Sequence, residues 1–336
     1  MFGQVILKDS IPSYQKNFNK AIQYIDSNKF DKAMPILKAV IKEKKDFGQA
    51  YIKTAYIKIK QKNYKEAEKD LQKAEKLQPN DFEIFKLKGI NFFFINKFDE
   101  SKNSLDSAFE ISKREKIDDW ELLYYRALLM FKGKSYKSAQ ETLESVTDLN
   151  PKCADAYYLK GEIRFVKKEY NYALKELNEA INKLPATKPD YNFYKLRAKT
   201  KFEIQDYKGA VNDWNVYIDG IPNEEDALIS RAAAKINNRE FTGAIVDLDE
   251  AIKLNSKNPV SFCYRGVAKS ENKAFKEALD DYNIAIKLKF DYAAAFFNRA
   301  ATKMAIKDKI GACDDLNKAD GLGNIQAARI IDKYCK

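Results

Sequence analysis

Residues 48–81 read GQAYIKTAYIKIKQKNYKEAEKDLQKAEKLQPND. Two stretches with apolar residues at helical spacing flank a polar turn at Lys62 and Asn63, and the segment closes on Pro79, which cannot continue a helix. One helical hairpin of this length cannot bury its own apolar face, so the sequence must supply neighbours for it. Sliding along the chain by 34 residues finds them. Copies start at Tyr14, Gly48, Phe82, Trp120, Ala154, Tyr191, Glu225, Pro259 and Ala293, evenly spaced apart from four extra residues before Trp120 and three before Tyr191.

The copies agree where packing demands it. The eighth position is always small (Ala21, Ala55, Gly89, Ala127, Gly161, Ala198, Ala232, Gly266, Ala300), and so is the twentieth, from Ala33 and Ala67 through Ser101 to Ala312. Small residues at facing points let two antiparallel helices approach closely. The seventeenth position is aromatic in eight of the nine copies, which wedges the start of the second helix, and the twenty-fourth is large, with Leu71, Trp214 and Tyr282 among its occupants. Pro79, Pro151, Pro185 and Pro222 separate one unit from the next.

This pattern resembles the tetratricopeptide repeat family over residues 14–326, nearly the whole chain. It departs from the family at position seven, usually leucine and here Arg, Lys or Thr, and at position eleven, usually tyrosine and here often Lys. The resemblance implies an all-α, right-handed superhelical solenoid of nine helix–turn–helix repeats. An N-terminal segment, residues 1–13, precedes it. Residues 324–336, NIQAARIIDKYCK, form an amphipathic capping helix that overlaps the end of repeat nine and covers it with Ala327, Ala328, Ile330, Ile331 and Tyr334. The family also implies a function: a non-catalytic scaffold that binds a peptide or a partner helix in the groove lined by its first helices.

Composition bounds the alternatives. Apolar residues make up 45% of the 336 and charged residues 32%, enough apolar content for a packed interior. Histidine is absent, which removes the commonest general base and the commonest zinc ligand together. Cys153, Cys263, Cys313 and Cys335 include no CxxC pair. KGKS at 132–135 lacks the upstream glycine of a phosphate-binding loop, since Leu128 stands there, and it falls in a helix turn rather than after a strand. No catalytic residue, metal, cofactor or small-molecule substrate is therefore expected. No apolar run is long enough to span a membrane. The net charge of +11 comes from lysine interleaved with acid, with 22 Lys against 15 Asp plus Glu in residues 1–113. A nucleic-acid-binding solenoid is accordingly the alternative function, less favoured than protein binding, and a non-catalytic subunit of a larger assembly is another.

The two halves differ. Repeats six to nine carry a charged trio: Arg197, Lys201 and Asp213, then Arg231, Lys235 and Asp247, Arg265, Lys269 and Asp281, and finally Arg299, Lys303 and Asp315. Arg and Lys lie i,i+4 on one helix and repel unless an acid relieves them, so the trio is either a basic stripe for an acidic partner or an ion-pair ladder between helices. Repeats one to five instead place bulk on the first helix, whose positions 2, 5, 6, 9, 12 and 13 line the groove in related repeats. The partner-binding residues expected there are Phe18, Ile52, Tyr56, Ile59, Phe93, Phe94, Tyr124, Phe131, Tyr158 and Phe165, with packing between first helices as the competing role. Val5, Ile6, Leu7 and Ile11 are candidates to occupy that groove in the free chain. No three consecutive repeats reproduce the Lys/Asn clamp that chaperone-binding family members use for a terminal carboxylate; repeat six offers Lys195 and Lys199, but Ser230, Val260 and Tyr264 follow.

Two further expectations concern location. Folding about the Gly321–Gly323 turn brings Cys313 and Cys335 to similar heights, where either a disulfide or two buried thiols fit. Phe2-Gly3-Gln4 resembles the tail of a cleaved bacterial secretion signal, so an exported, periplasmic chain stands beside a cytoplasmic one.

Overall fold

A computed structural model describes residues 11–185, 187 and 189–335. Its elements are helices throughout, and they fall in two compact units. Unit one, residues 1–156, holds α1 (Ser13–Asp26), α2 (Phe30–Glu43), α3 (Gly48–Lys60), α4 (Tyr64–Leu77), α5 (Phe82–Phe94), α6 (Phe98–Glu115), α7 (Trp120–Lys132) and α8 (Tyr136–Leu149). The next helix, α9 (Ala154–Val166), begins at the end of unit one and continues into unit two, residues 157–336. Unit two contains α10 (Tyr170–Asn182), α11 (Tyr191–Glu203), α12 (Tyr207–Gly220), α13 (Glu225–Asn237), α14 (Phe241–Leu254), α15 (Pro259–Glu271) and α16 (Phe275–Leu288). It ends with α17 (Ala293–Ala305), α18 (Lys309–Gly321) and α19 (Ile325–Tyr334). Among the described residues the fold is an all-α repeat solenoid of nine helix pairs, with odd-numbered first helices, even-numbered second helices and a final capping helix. No described helix is long and apolar enough to cross a membrane.

Close packing inside each pair explains the small residues. A Cβ on Gly89 would sit 2.5 Å from Leu105, one on Gly161 2.8 Å from Leu177, and one on Gly266 2.6 Å from Tyr282, so position eight lies under the large side chain at position 24 of its own repeat. Position 20 faces position eight as well: Ser101, the one non-alanine there, is buried and donates its hydroxyl to the Gly89 carbonyl at 2.7 Å. The turn between paired helices needs one residue in the left-handed region, and position fifteen takes it in every repeat, from Asn28 (φ 54°) to Lys307 (φ 67°). Side-chain caps start several first helices: Asp81, Asp119, Asp190 and Asn258 each accept a bond from a backbone N–H of the first turn.

The four extra residues before Trp120 go into the second helix of the third pair. α6 runs for 18 residues where α4 and α8 have 14, and it stops on Lys116 in the left-handed conformation. At the far end, α19 covers Phe296, Leu316 and Ala319 with Ala327, Ile330 and Ile331. A disulfide between Cys313 and Cys335, with Cα atoms 5.7 Å apart, ties it down, while Cys153 and Cys263 are buried free thiols.

The charged trio is a ladder of ion pairs. In each of repeats six to nine the arginine at position seven grips the aspartate at position 23 of its own repeat through two nitrogens; for Arg265 and Asp281 the distances are 2.9 and 2.6 Å. The lysine at position eleven joins from the next turn, at 2.7 Å for Lys269. The third arginine nitrogen reaches back to position 25 of the preceding repeat, to Asn178, Asn215, Asp249 and Asn283 in turn. Asp213, Asp247, Asp281 and Asp315 are buried, so these cations are committed to the interior rather than offered to a partner.

Candidate functional site

In unit one the first helices bring aromatic rings together around α5. Phe94 closes that helix and is 42% exposed, the most open aromatic residue among those expected to bind. Its ring stacks on Tyr64 at 5.3 Å and meets Phe93 and Tyr125 edge-on at 5.9 Å each. Phe93 in turn contacts Phe98 and Tyr125, and Tyr125 contacts Tyr124, so six rings form one connected patch. Edge-to-face and offset pairs of this kind hold each ring in place beyond the area they bury.

Charged groups ring the patch and are largely spoken for. Lys60 lies over the Tyr56 ring and pairs with Glu121 at 3.2 Å. Lys86 pairs with Asp119 at 2.6 Å and approaches Glu121 at 3.7 Å. Burial by itself lowers the Lys86 ammonium's pKa, but Asp119, with Glu121 and Glu83, outweighs it and holds the pKa above its ordinary value. Burial is also the main cause of the upward shift at the Tyr125 hydroxyl. Lys132 lies over the rings of Phe93 and Phe98. An apolar partner therefore finds area here, with Lys60 and Lys86 at its margin already paired with carboxylates.

The expected binding residues divide by burial. Phe18, Ile52 and Ile59 are core residues at 9%, 0% and 4% exposure, and the expectation that they line a groove is corrected. Phe18 meets Phe47 edge-on at 4.9 Å, and Ile52 and Ile59 pack with Ile84, Leu87 and Ile90 of the following repeat. In repeats one and two these positions face the neighbouring helix. Tyr56, Phe93, Phe94, Tyr124 and Phe131 retain exposure. Position twelve has a structural duty as well, because its ring leans on the aromatic at position 17: Phe93 on Phe98, and Phe131 on Tyr136, at 5.8 Å in both cases. Tyr64, Phe98 and Tyr125 were missing from the expected set, the first two because position 17 reads as a packing wedge. Ile11 is exposed; Val5, Ile6 and Leu7 lie outside the described residues.

Unit two has its own opening on the first-helix face. Phe165, Phe202, Ile229, Ala233 and Tyr264 line a cavity of about 240 Å³ together with Trp214, and Lys199, Glu203 and Ser230 border it. Phe165 and Phe202 are braced by Tyr170 and Tyr207 at 5.5 and 5.4 Å, the arrangement already met at position twelve in unit one. Tyr158 does not join the cavity lining; its ring stacks on Phe193 at 4.4 Å, and burial raises the pKa of its hydroxyl. Lys195, on the same face, is held by Glu224 and the Tyr217 hydroxyl. Among the described residues no group of three or more His, Cys, Asp or Glu side chains is arranged to hold a metal ion.

Comparison with known proteins agrees with this architecture. The tetratricopeptide repeat family matches residues 24–89 and again residues 126–191. No curated protein matches the chain in sequence. Among solved structures, PilF of Pseudomonas aeruginosa is 13% identical, with a TM-score of 0.55, and the match covers 64% of this chain and 94% of that one. PilW, a type IV pilus biogenesis factor, is 14% identical with a TM-score of 0.54, covering 65% and 98%. YrrB, a TPR protein with an unusual peptide-binding site, is 16% identical with a TM-score of 0.52, covering 56% and 94%. At these identities the likeness is one of fold.

Proposed function

The chain belongs to the tetratricopeptide repeat family, and from that premise we propose that it is a protein-interaction scaffold whose first-helix face in unit one binds an apolar or aromatic segment of a partner. The observation that carries this reading is Phe94, an exposed ring fixed by stacking on Tyr64 and by edge-on contact with Phe93 and Tyr125. Rigid aromatic anchors with satisfied polar neighbours are the features that concentrate binding energy at interfaces. The refined site comprises Tyr56, Phe93, Phe94, Tyr124, Tyr125 and Phe131. A second anchor point, the cavity beside Phe165 and Phe202, serves unit two. Peptide binding by YrrB, a protein of the same fold, is in keeping with this role.

Nucleic-acid binding is the weaker reading, because Lys60 and Lys86 are engaged with carboxylates beside the aromatic patch instead of forming a free basic stripe. The role is non-catalytic. The Cys313–Cys335 disulfide fits an oxidising compartment and supports the exported reading over the cytoplasmic one.

Affinity capture with the full chain, followed by mass spectrometry, tests the proposal. Wild type should enrich a defined protein that the Phe94→Ala, Tyr124→Ala double variant enriches poorly. Equal enrichment by both would overturn the site.

A further inference from the structure

Arg126 occupies in repeat four the position that Arg197, Arg231, Arg265 and Arg299 occupy in repeats six to nine. It keeps half of their arrangement. One nitrogen reaches back to Asp106 at position 25 of the preceding repeat, at 3.1 Å, as the other arginines reach their counterparts. The other half is missing. Position 23, aspartate in all four later repeats, is Thr142, whose hydroxyl turns to the Ser138 carbonyl at 2.8 Å. Position eleven, lysine in those repeats, is Met130.

A cavity of about 370 Å³ stands beside Arg126 and Met130, which hold two of the trio's three positions. Leu105, Leu129 and Met130 give it apolar walls; Lys102, Arg126, Ser135 and Ser138 bring polar groups, and Asp106, paired with Arg126, lines it as well. The guanidinium is fixed from one side by the Phe109 ring, 3.6 Å from its centroid, and by Asp106. Asp106 is its one hydrogen-bonding partner among the described residues. A planar guanidinium presents a fork of donors that matches a carboxylate with two parallel bonds, and a fixed one loses little freedom on binding.

We propose that the cavity beside Arg126 is a carboxylate-binding site, in which a ligand supplies the acid that Asp213, Asp247, Asp281 and Asp315 supply from within their own repeats. The ligand class is a carboxylate on a short apolar body. Leu105, Leu129 and Met130 take the body, Arg126 the carboxylate, and Lys102 at the rim adds positive charge. A free organic acid and a Glu or Asp side chain of a bound protein share this chemistry. The site makes no use of the aromatic patch around Phe94, so the two proposals stand or fall separately.

Calorimetric titration of the full chain tests it with two matched pairs of probes. Phenylacetate is compared with phenylacetamide, and the capped tripeptide acetyl-Leu-Glu-Leu-amide with its Gln counterpart. At least one acid should bind tenfold or more tightly than its amide. Preference in the first pair identifies a small acid as the ligand, and preference in the second a protein side chain. Thr142→Asp rebuilds the internal acid and should abolish the preference while raising the thermal midpoint of the free chain. Arg126→Leu, a second variant that needs no new ion pair, should abolish it as well. Acid and amide binding equally in both pairs, or a preference that survives either variant, would overturn the assignment.

Discussion

Replacing Asp281 by Ala probes the ladder in repeat eight where its geometry is most complete. Asp281 is 2% exposed and accepts two bonds from Arg265 and one contact from Lys269. Removing one partner of a fully buried ion pair costs about 3–5 kcal/mol, because the other charge is left desolvated and alone. The two cations here retain 18% and 20% side-chain exposure, and Arg265 keeps Asp249, so water and a second acid relieve part of that. We expect a loss of about 2–3 kcal/mol after that discount. Long repeat arrays need not unfold in one step, so the local readout is hydrogen exchange at the amides of α15 and α16, supported by the denaturant midpoint. A double-mutant cycle with Arg265→Met isolates the pair: truncating both partners should cost less than the two single losses added together, with a coupling above about 1 kcal/mol. Losses that add to within about 0.5 kcal/mol would refute the ladder as an energetic feature.

Three further outcomes follow from single features. Asn91 is 1% exposed and neither its amide nitrogen nor its carbonyl oxygen has a hydrogen-bond partner among the described residues, whereas Ile57 and Ile163 fill the same repeat position; Asn91→Ile should stabilise the chain by about 1–3 kcal/mol in denaturant unfolding. Thiol titration of denatured, unreduced protein should count two free thiols, Cys153 and Cys263, and reducing the Cys313–Cys335 bridge should lower the stability of the cap region by about 3 kcal/mol for a loop of this length. Burial raises the pKa of the Tyr125, Tyr158, Tyr282 and Tyr292 hydroxyls, so the unfolded chain releases these protons first; their contribution is intact below the ordinary tyrosine pKa of about 10, and a stability–pH profile should fall as pH rises beyond it.

The repeat was legible because close helix packing leaves a regular trace. Gly89, Gly161 and Gly266 are small for the reason their spacing suggests, since Leu105, Leu177 and Tyr282 press on them. The acid recurring in step with Arg and Lys likewise pointed to a ladder, though the reach back to the preceding repeat needed coordinates. The site was only partly legible. Position five is buried at Phe18 and Ile52 but open enough at Tyr124 to join the patch, because its exposure depends on the neighbouring repeat's side chains and not on its own identity. Repeats six to nine were passed over for their charge, although Phe202, Ile229, Ala233 and Tyr264 stand at the repeat positions that Phe93, Tyr124, Tyr56 and Tyr125 hold in unit one. The cavity at Arg126 has no positive signal in the sequence: it marks an aspartate that is absent.

Binding by the aromatic patch is tested most directly by the dissociation constant of the captured partner, measured for wild type and for Phe94→Ala, Tyr124→Ala at low and at moderate salt. Loss of two rigid aromatic anchors should cost about 2 kcal/mol or more, a weakening of about 30-fold, while salt changes the wild-type constant only modestly. An unchanged constant in the double variant, together with an affinity that collapses as salt is raised, would contradict the account and place recognition on the lysines instead.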